Sequence, residues 1–178
     1  MKSTLKFIVS LWALLFTVTI APTPLFALAP KASIPVHLKI PALNIDTAIQ
    51  SVGKDKTGNM DVPNNSTDVA WYNLGTVPGD PGNAVISGHY DDKKGPAIFY
   101  KLGKLKKGDS ITVTDNNGLD RVFKVIEVAS YPYNKAPLNK IFGFDLNHDL
   151  NLITCDGRWN SRTHTYNQRL VVYARMFE

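Results

Sequence analysis

The sequence predicts an all-β domain that closes into a barrel, with one or two short helices. Two observations carry this. Short apolar runs of strand length recur from residue 36 to the C-terminus, broken by turn residues. Only one stretch, residues 96–105, places its apolar residues at helical spacing, with Ile98, Phe99, Leu102 and Leu105.

Taken in order, residues 36–40 alternate apolar and polar as Val-His-Leu-Lys-Ile, and Pro41 ends the run. Residues 47–52 form a second strand, closed by Gly53. Residues 60–62 and 69–72 are shorter strand pieces. Residues 75–83, with three glycines and two prolines, form a loop. Residues 84–87 are a buried strand that ends at Gly88-His89. Pro96 suits the first turn of the short helix that follows. Residues 110–114 and 121–128 alternate around Asp115-Asn116-Asn117-Gly118, a hairpin turn signal. Residues 151–155 and 169–176 are the last pair, joined by a long polar loop.

The 178 residues divide into a short leader and one domain. Lys2 and Lys6 precede an uncharged stretch that runs to Pro30. Its densest part, residues 7–21, has the length of a signal-peptide apolar region. Ala27-Leu28-Ala29 resembles a cleavage site, but Pro30 follows directly and disfavours cleavage. Residues 1–30 are therefore read as a signal peptide or an uncleaved membrane anchor with a Pro-rich tether. Residues 31–178 are read as the folded domain. Either reading delivers the domain outside the cytoplasm. Apolar residues at 44% and charged residues at 20% are ordinary for a globular chain and exclude disorder. The net charge of +5 is scattered, apart from Lys104, Lys106 and Lys107, and no nucleic-acid motif accompanies it.

An exported chain normally spends its cysteines in disulfides, and this one has a single cysteine, Cys155. It lies at the end of the apolar run Leu152-Ile153-Thr154. A thiol nucleophile needs a base or a cation nearby, and donors for an oxyanion. His89 follows a strand and can move protons; His164 lies in the loop after Cys155 and competes with it. His37 alternates within a strand and His148 sits in a polar loop. Arg169 opens the strand expected to pair with that of Cys155. Arg175, six residues on, falls about 20 Å further along and at the wrong end. The bland alternatives are a buried structural thiol, a turn histidine and a surface arginine.

The segments Ile86-Ser87-Gly88-His89, Leu152-Ile153-Thr154-Cys155 and Arg169-Leu170-Val171-Val172 together resemble the sortases, cysteine transpeptidases of Gram-positive cell surfaces. The resemblance runs from about residue 36 to the C-terminus, through Trp71-Tyr72, residues 78–84 and Gly95-Pro96-Ala97-Ile98-Phe99. It is closest to the class F group, with classes D and E as neighbours. The usual cysteine motif has Thr where this chain has Asn151, a departure that bears on subclass and substrate preference.

The resemblance implies an eight-stranded closed barrel and cleavage of an LPxTG-type sorting signal between Thr and Gly. Cys155 would be the nucleophile and His89 the general acid and base. Arg169 would hold the substrate backbone or the oxyanion. From the residues themselves, Thr154 is read as positioning the site or substrate, against ordinary β-propensity, and Trp159 in the loop Arg158-Trp159-Asn160-Ser161-Arg162 as a substrate contact lining the groove, against a packed loop. The acceptor would be an amine, commonly from a peptidoglycan precursor such as lipid II. No cofactor is implied. Asp145, Asn147 and Asp149 alternate in a loop but lack calcium-loop spacing, so no metal is expected. The competing functions are a surface adhesion module with an idle thiol, or another cell-wall cysteine peptidase or transpeptidase.

Overall fold

Residues 34–177 are described by a computed structural model of the protein. The leader, residues 1–30, lies outside the described residues.

Alternation turns Leu38 and Ile40 of β1 (Pro35–Ile40) into the core and leaves Lys39 exposed, while Val36, at a register shift between Pro35 and His37, is exposed although it shares their parity. A short 3₁₀ turn, Pro41–Leu43, leads into β2 (Ile45–Val52), which buries Ile45, Thr47 and Ile49. A long connection follows, and then β3 (Val69–Tyr72) pairs with β2 in parallel. The next strand, β4 (Gly82–Gly88), is buried at every residue. Its run Ala84-Val85-Ile86 does not alternate because both faces are covered: Ala84 and Ile86 face the barrel interior, and Val85 faces an outer cluster with Ile141.

Two residue pairs form a small ribbon, β5 (Asp91–Asp92) with β6 (Gly95–Pro96). The hairpin of β7 (Ser110–Asp115) and β8 (Asp120–Pro132) turns where its signal predicts, with Asp115 Oδ1 accepting from the amides of Asn117 and Leu119. Next come α1 (Leu138–Phe142), β9 (His148–Asn160) and β10 (Thr165–Arg175). The strands close in the order β1-β2-β3-β4-β9-β10-β8-β7, an eight-stranded barrel. Leu38, Ile86, Phe99, Phe123 and Leu152 fill its interior. A second cluster of Val85, Ile141, Val171 and Tyr173 also gathers Met60 from the β2–β3 connection, Phe142 from α1 and Ile153 from β9.

The all-β barrel expected from the sequence is therefore present, and three local expectations change. Residues 96–105 do not form a helix with Pro96 in its first turn. Pro96 pairs with Asp91 in the ribbon, and only Leu102–Lys104 makes a 3₁₀ turn. The buried side chains Phe99, Leu102 and Leu105 that imitate helical spacing plug the barrel interior from an irregular turn. Residues 60–62 are not a strand; Met60 makes one isolated bridge to Lys54. The long polar loop after Cys155 is mostly ribbon: β9 continues to Asn160, which pairs with Thr165. Cys155 consequently sits within a strand rather than at its end.

Candidate active site

Strand pairing makes the first contact of the site. Antiparallel β9 and β10 set Cys155 directly opposite Arg169. Parallel β4 and β9 set Ser87 opposite Ile153. His89 follows two residues after Ser87, at the level of Cys155, which follows two after Ile153. Thr154, between them, donates its buried hydroxyl to the carbonyl of Gly88 at 2.8 Å. That bond ties β9 to the residue before His89. Gly88 has to be glycine here, because a Cβ would come within 2.5 Å of the Phe99 ring.

His89, Cys155, Arg169 and Thr154 line one groove of ≈ 150 Å³, with Ser87, Gly88 and Ile153. Met60, Asp61 and Val62 from the β2–β3 connection line it too, with Phe142 from α1. The groove is thus an apolar channel leading to a thiol, an imidazole and a guanidinium.

Each of the three groups is held. The Nε2 of His89 lies 2.9 Å from the carbonyl oxygen of Pro63. A carbonyl only accepts, so Nε2 carries the proton and Nδ1 is left to exchange protons in the groove. Arg169 folds back on the start of its own strand. Its Nη1 donates to the carbonyls of Tyr166 and Gln168 at 3.1 and 2.8 Å, and its Nη2 to Thr165 Oγ1 at 3.2 Å. The bulge between Tyr166 and Gln168 presents those carbonyls. Cys155 is half-buried, and burial pushes its thiol up; Arg169 pulls it back down and Asp91 pushes it up again.

Asp91 had no signal in the sequence beyond lying two residues after His89. Its carboxylate accepts a hydrogen bond from the hydroxyl of Tyr166, which links the histidine segment to the strand of Arg169. That bond, followed by burial, raises the Tyr166 hydroxyl to about 12. Tyr90 packs against Tyr166 with centroids 5.4 Å apart.

Trp159 stands elsewhere. It is 53% exposed, lies outside the groove lining and packs edge-on against Tyr166 and His164. The remaining histidines are engaged away from the groove: His37 with Asp46 at 2.8 Å, and His148 with the Gly79 carbonyl at 2.7 Å. His164, the rival histidine, sits in the turn between β9 and β10 with φ 50°. Arg175 is paired with Asp149 at 2.7 Å, at the far end of β10. Asp145 accepts from the amide of its loop neighbour Asn147.

A family model described as the Sortase domain matches residues 38–177. The chain belongs to the sortase family. Solved structures share its fold. Sortase C-1 from Actinomyces oris is 19% identical, with a TM-score of 0.64, covering 80% of this chain and 71% of its own. Sortase C1 from Streptococcus agalactiae is 21% identical, with a TM-score of 0.62 over 80% and 67%. Sortase A from Listeria monocytogenes is 19% identical, with a TM-score of 0.60 over 83% and 88%. No curated protein sequence matches significantly.

As a sortase, the protein is a cysteine transpeptidase of the cell surface, with surface proteins as substrates and amines as acceptors. This sets aside the adhesion module. No helix among the described residues is long and apolar enough to cross a membrane.

Proposed function

We propose that this sortase cleaves an LPxTG-type signal between Thr and Gly, with Cys155, His89 and Arg169 as its catalytic groups. The observation that carries the reading is the cross-strand pair Cys155–Arg169 in one groove with His89. The Cys155 sulfur attacks the Thr carbonyl as its proton passes to His89 Nδ1. Arg169 faces the oxyanion that forms, where fixed positive charge lowers the barrier. The C–N bond then breaks, and His89 returns the proton to the departing Gly amine. An incoming amine attacks the thioester; its proton passes through His89 back to sulfur. The acyl group leaves on a new amide, and no proton or electron is left over.

The acceptor is proposed to be a peptidoglycan-precursor amine such as lipid II, and the subclass to be class F. The leader, residues 1–30, is proposed to be a signal peptide or anchor at the cytoplasmic membrane. The test is a peptide-library cleavage assay with added amines, read by mass spectrometry. Wild-type protein should cut between Thr and Gly and yield the amine adduct, and Cys155→Ala should yield neither. Turnover by Cys155→Ala, or cleavage at another bond, overturns the assignment.

A further inference from the structure

Ser87 is out of keeping with its neighbours. On β4 it shares a face with Val85, since side chains two apart point the same way. Val85 packs in the outer apolar cluster with Ile141 and Val171, while Ile86 turns into the barrel. Ile153, opposite Ser87, belongs to the same outer cluster, as do Met60 and Phe142. An aliphatic side chain would suit the position. Ser87 is instead only 7% exposed, and its hydroxyl has no hydrogen-bond partner among the described residues. A buried hydroxyl without a partner opposes folding, because it gives up water and gains nothing. Thr154, close by, shows the ordinary solution: its hydroxyl is satisfied by the Gly88 carbonyl.

A peptide threaded into this groove has the matching problem. Its amide groups must leave water among Met60, Val62, Phe142 and Ile153, which offer no hydrogen-bonding side-chain group except the weakly accepting Met sulfur; of the polar lining, the Asp61 carboxylate is exposed and accepts from the Val62 amide, and the Thr154 hydroxyl donates to the Gly88 carbonyl. Resting on the reading of the groove as the peptide channel, we infer that the Ser87 hydroxyl hydrogen-bonds the acyl-side segment of the sorting signal and is a specificity-determining group of this enzyme. The bond satisfies both partners at once, so it forms only with peptides that bring a polar group to that depth. A site built to meet a hydrogen-bonding group discriminates strongly against ligands that lack it.

The test compares wild type, Ser87→Ala and Ser87→Thr on a sorting-signal library varied one position at a time, with kcat and KM separated. Two further readings are the melting temperature and the alkylation rate of Cys155 by iodoacetamide, which is too small to use the groove. Ser87→Ala should melt no lower than wild type, because it removes an unsatisfied group. Its kcat/KM should fall roughly tenfold on the best peptide, with alkylation unchanged. Ser87→Thr, which keeps a hydroxyl, should recover part of the loss. A fall spread evenly over the library assigns the bond to the peptide main chain; a changed preference at one position assigns it to that side chain. Unaltered turnover and preference in Ser87→Ala overturn the inference alone. An equal fall in alkylation also overturns it, since the loss would then lie at the thiol. A wild type that turns over no member of the library sinks the peptide-channel reading together with the inference.

Discussion

Cys155 receives opposing influences, and their balance fixes how the site works. Burial and the Asp91 carboxylate favour the neutral thiol, and Arg169 favours the thiolate. Because the thiolate is the reactive form, alkylation should rise with pH around a midpoint above that of an ordinary cysteine. Asp91→Asn removes a negative charge and should move that midpoint down; Arg169→Ala should move it up. The pH profile of iodoacetamide alkylation checks both signs. The same residues separate reactivity from catalysis. His89→Ala and Arg169→Ala should each lower kcat/KM by about 10²–10⁴, measured on a cleavable peptide. Arg169→Lys should not restore the loss, because an ammonium cannot span the Tyr166 carbonyl, the Gln168 carbonyl and the Thr165 hydroxyl as the planar guanidinium does.

At the scale of elements, the departure at Asn151 acquires a physical account. Its buried amide donates to Asn83 Oδ1 at 2.9 Å and to the Ile141 carbonyl at 2.8 Å, while Asn83 donates to the Gly143 carbonyl at 2.7 Å. These bonds join β9 and β4 to α1, and α1 carries Phe142, a wall of the groove. Asn151→Ala leaves two buried acceptors without this donor. It should cost about 1–3 kcal/mol of stability, measured by urea denaturation, and also weaken peptide turnover by loosening the wall. Gly157, two residues after Cys155, has φ 83°, and a Cβ there would meet Asn167 Oδ1 at 2.3 Å. Gly157→Ala should therefore destabilise the ribbon and lower the melting temperature.

These elements also show what a sequence displays and what it hides. The alternation of residues 36–40, the buried run at 84–86 and the Asp115–Gly118 turn were legible because each is a local pattern with one physical meaning. The Cys155–Arg169 pairing was legible because each flanks the apolar run of its strand on the side where the chain passes from one strand to the other. The five-residue α1 was not, since it is shorter than two helical turns and shows no period. The β9–β10 ribbon looked like a loop because most of its side chains are polar and it buries no continuous apolar face, which removes the alternation. Met60, Val62 and Phe142 reach the groove over long sequence separations, and no spacing announces that.

For the whole molecule, the question is how much chain the fold and the chemistry require. Both apolar clusters are built between Leu38 and Met176, and the four groove residues assigned to catalysis and substrate, His89, Thr154, Cys155 and Arg169, fall within the same span. The family match, residues 38–177, has nearly the same limits. The barrel closes by hydrogen bonds between β1 and β7, so its first strand is a structural stave rather than a tether. A protein comprising residues 34–178 should then unfold in one cooperative transition, with intrinsic fluorescence and far-UV circular dichroism giving the same midpoint. Its kcat/KM on a soluble peptide should equal that of the full chain within about twofold, since every group proposed to touch that peptide is retained. Removing β1 as well, by starting at residue 41, strips Leu38 and Ile40 from the core and exposes the edges of β2 and β7. That shorter protein should fail to fold. Separate transitions in the 34–178 protein, or a large loss of turnover with folding intact, would assign the leader a part in the catalytic domain itself.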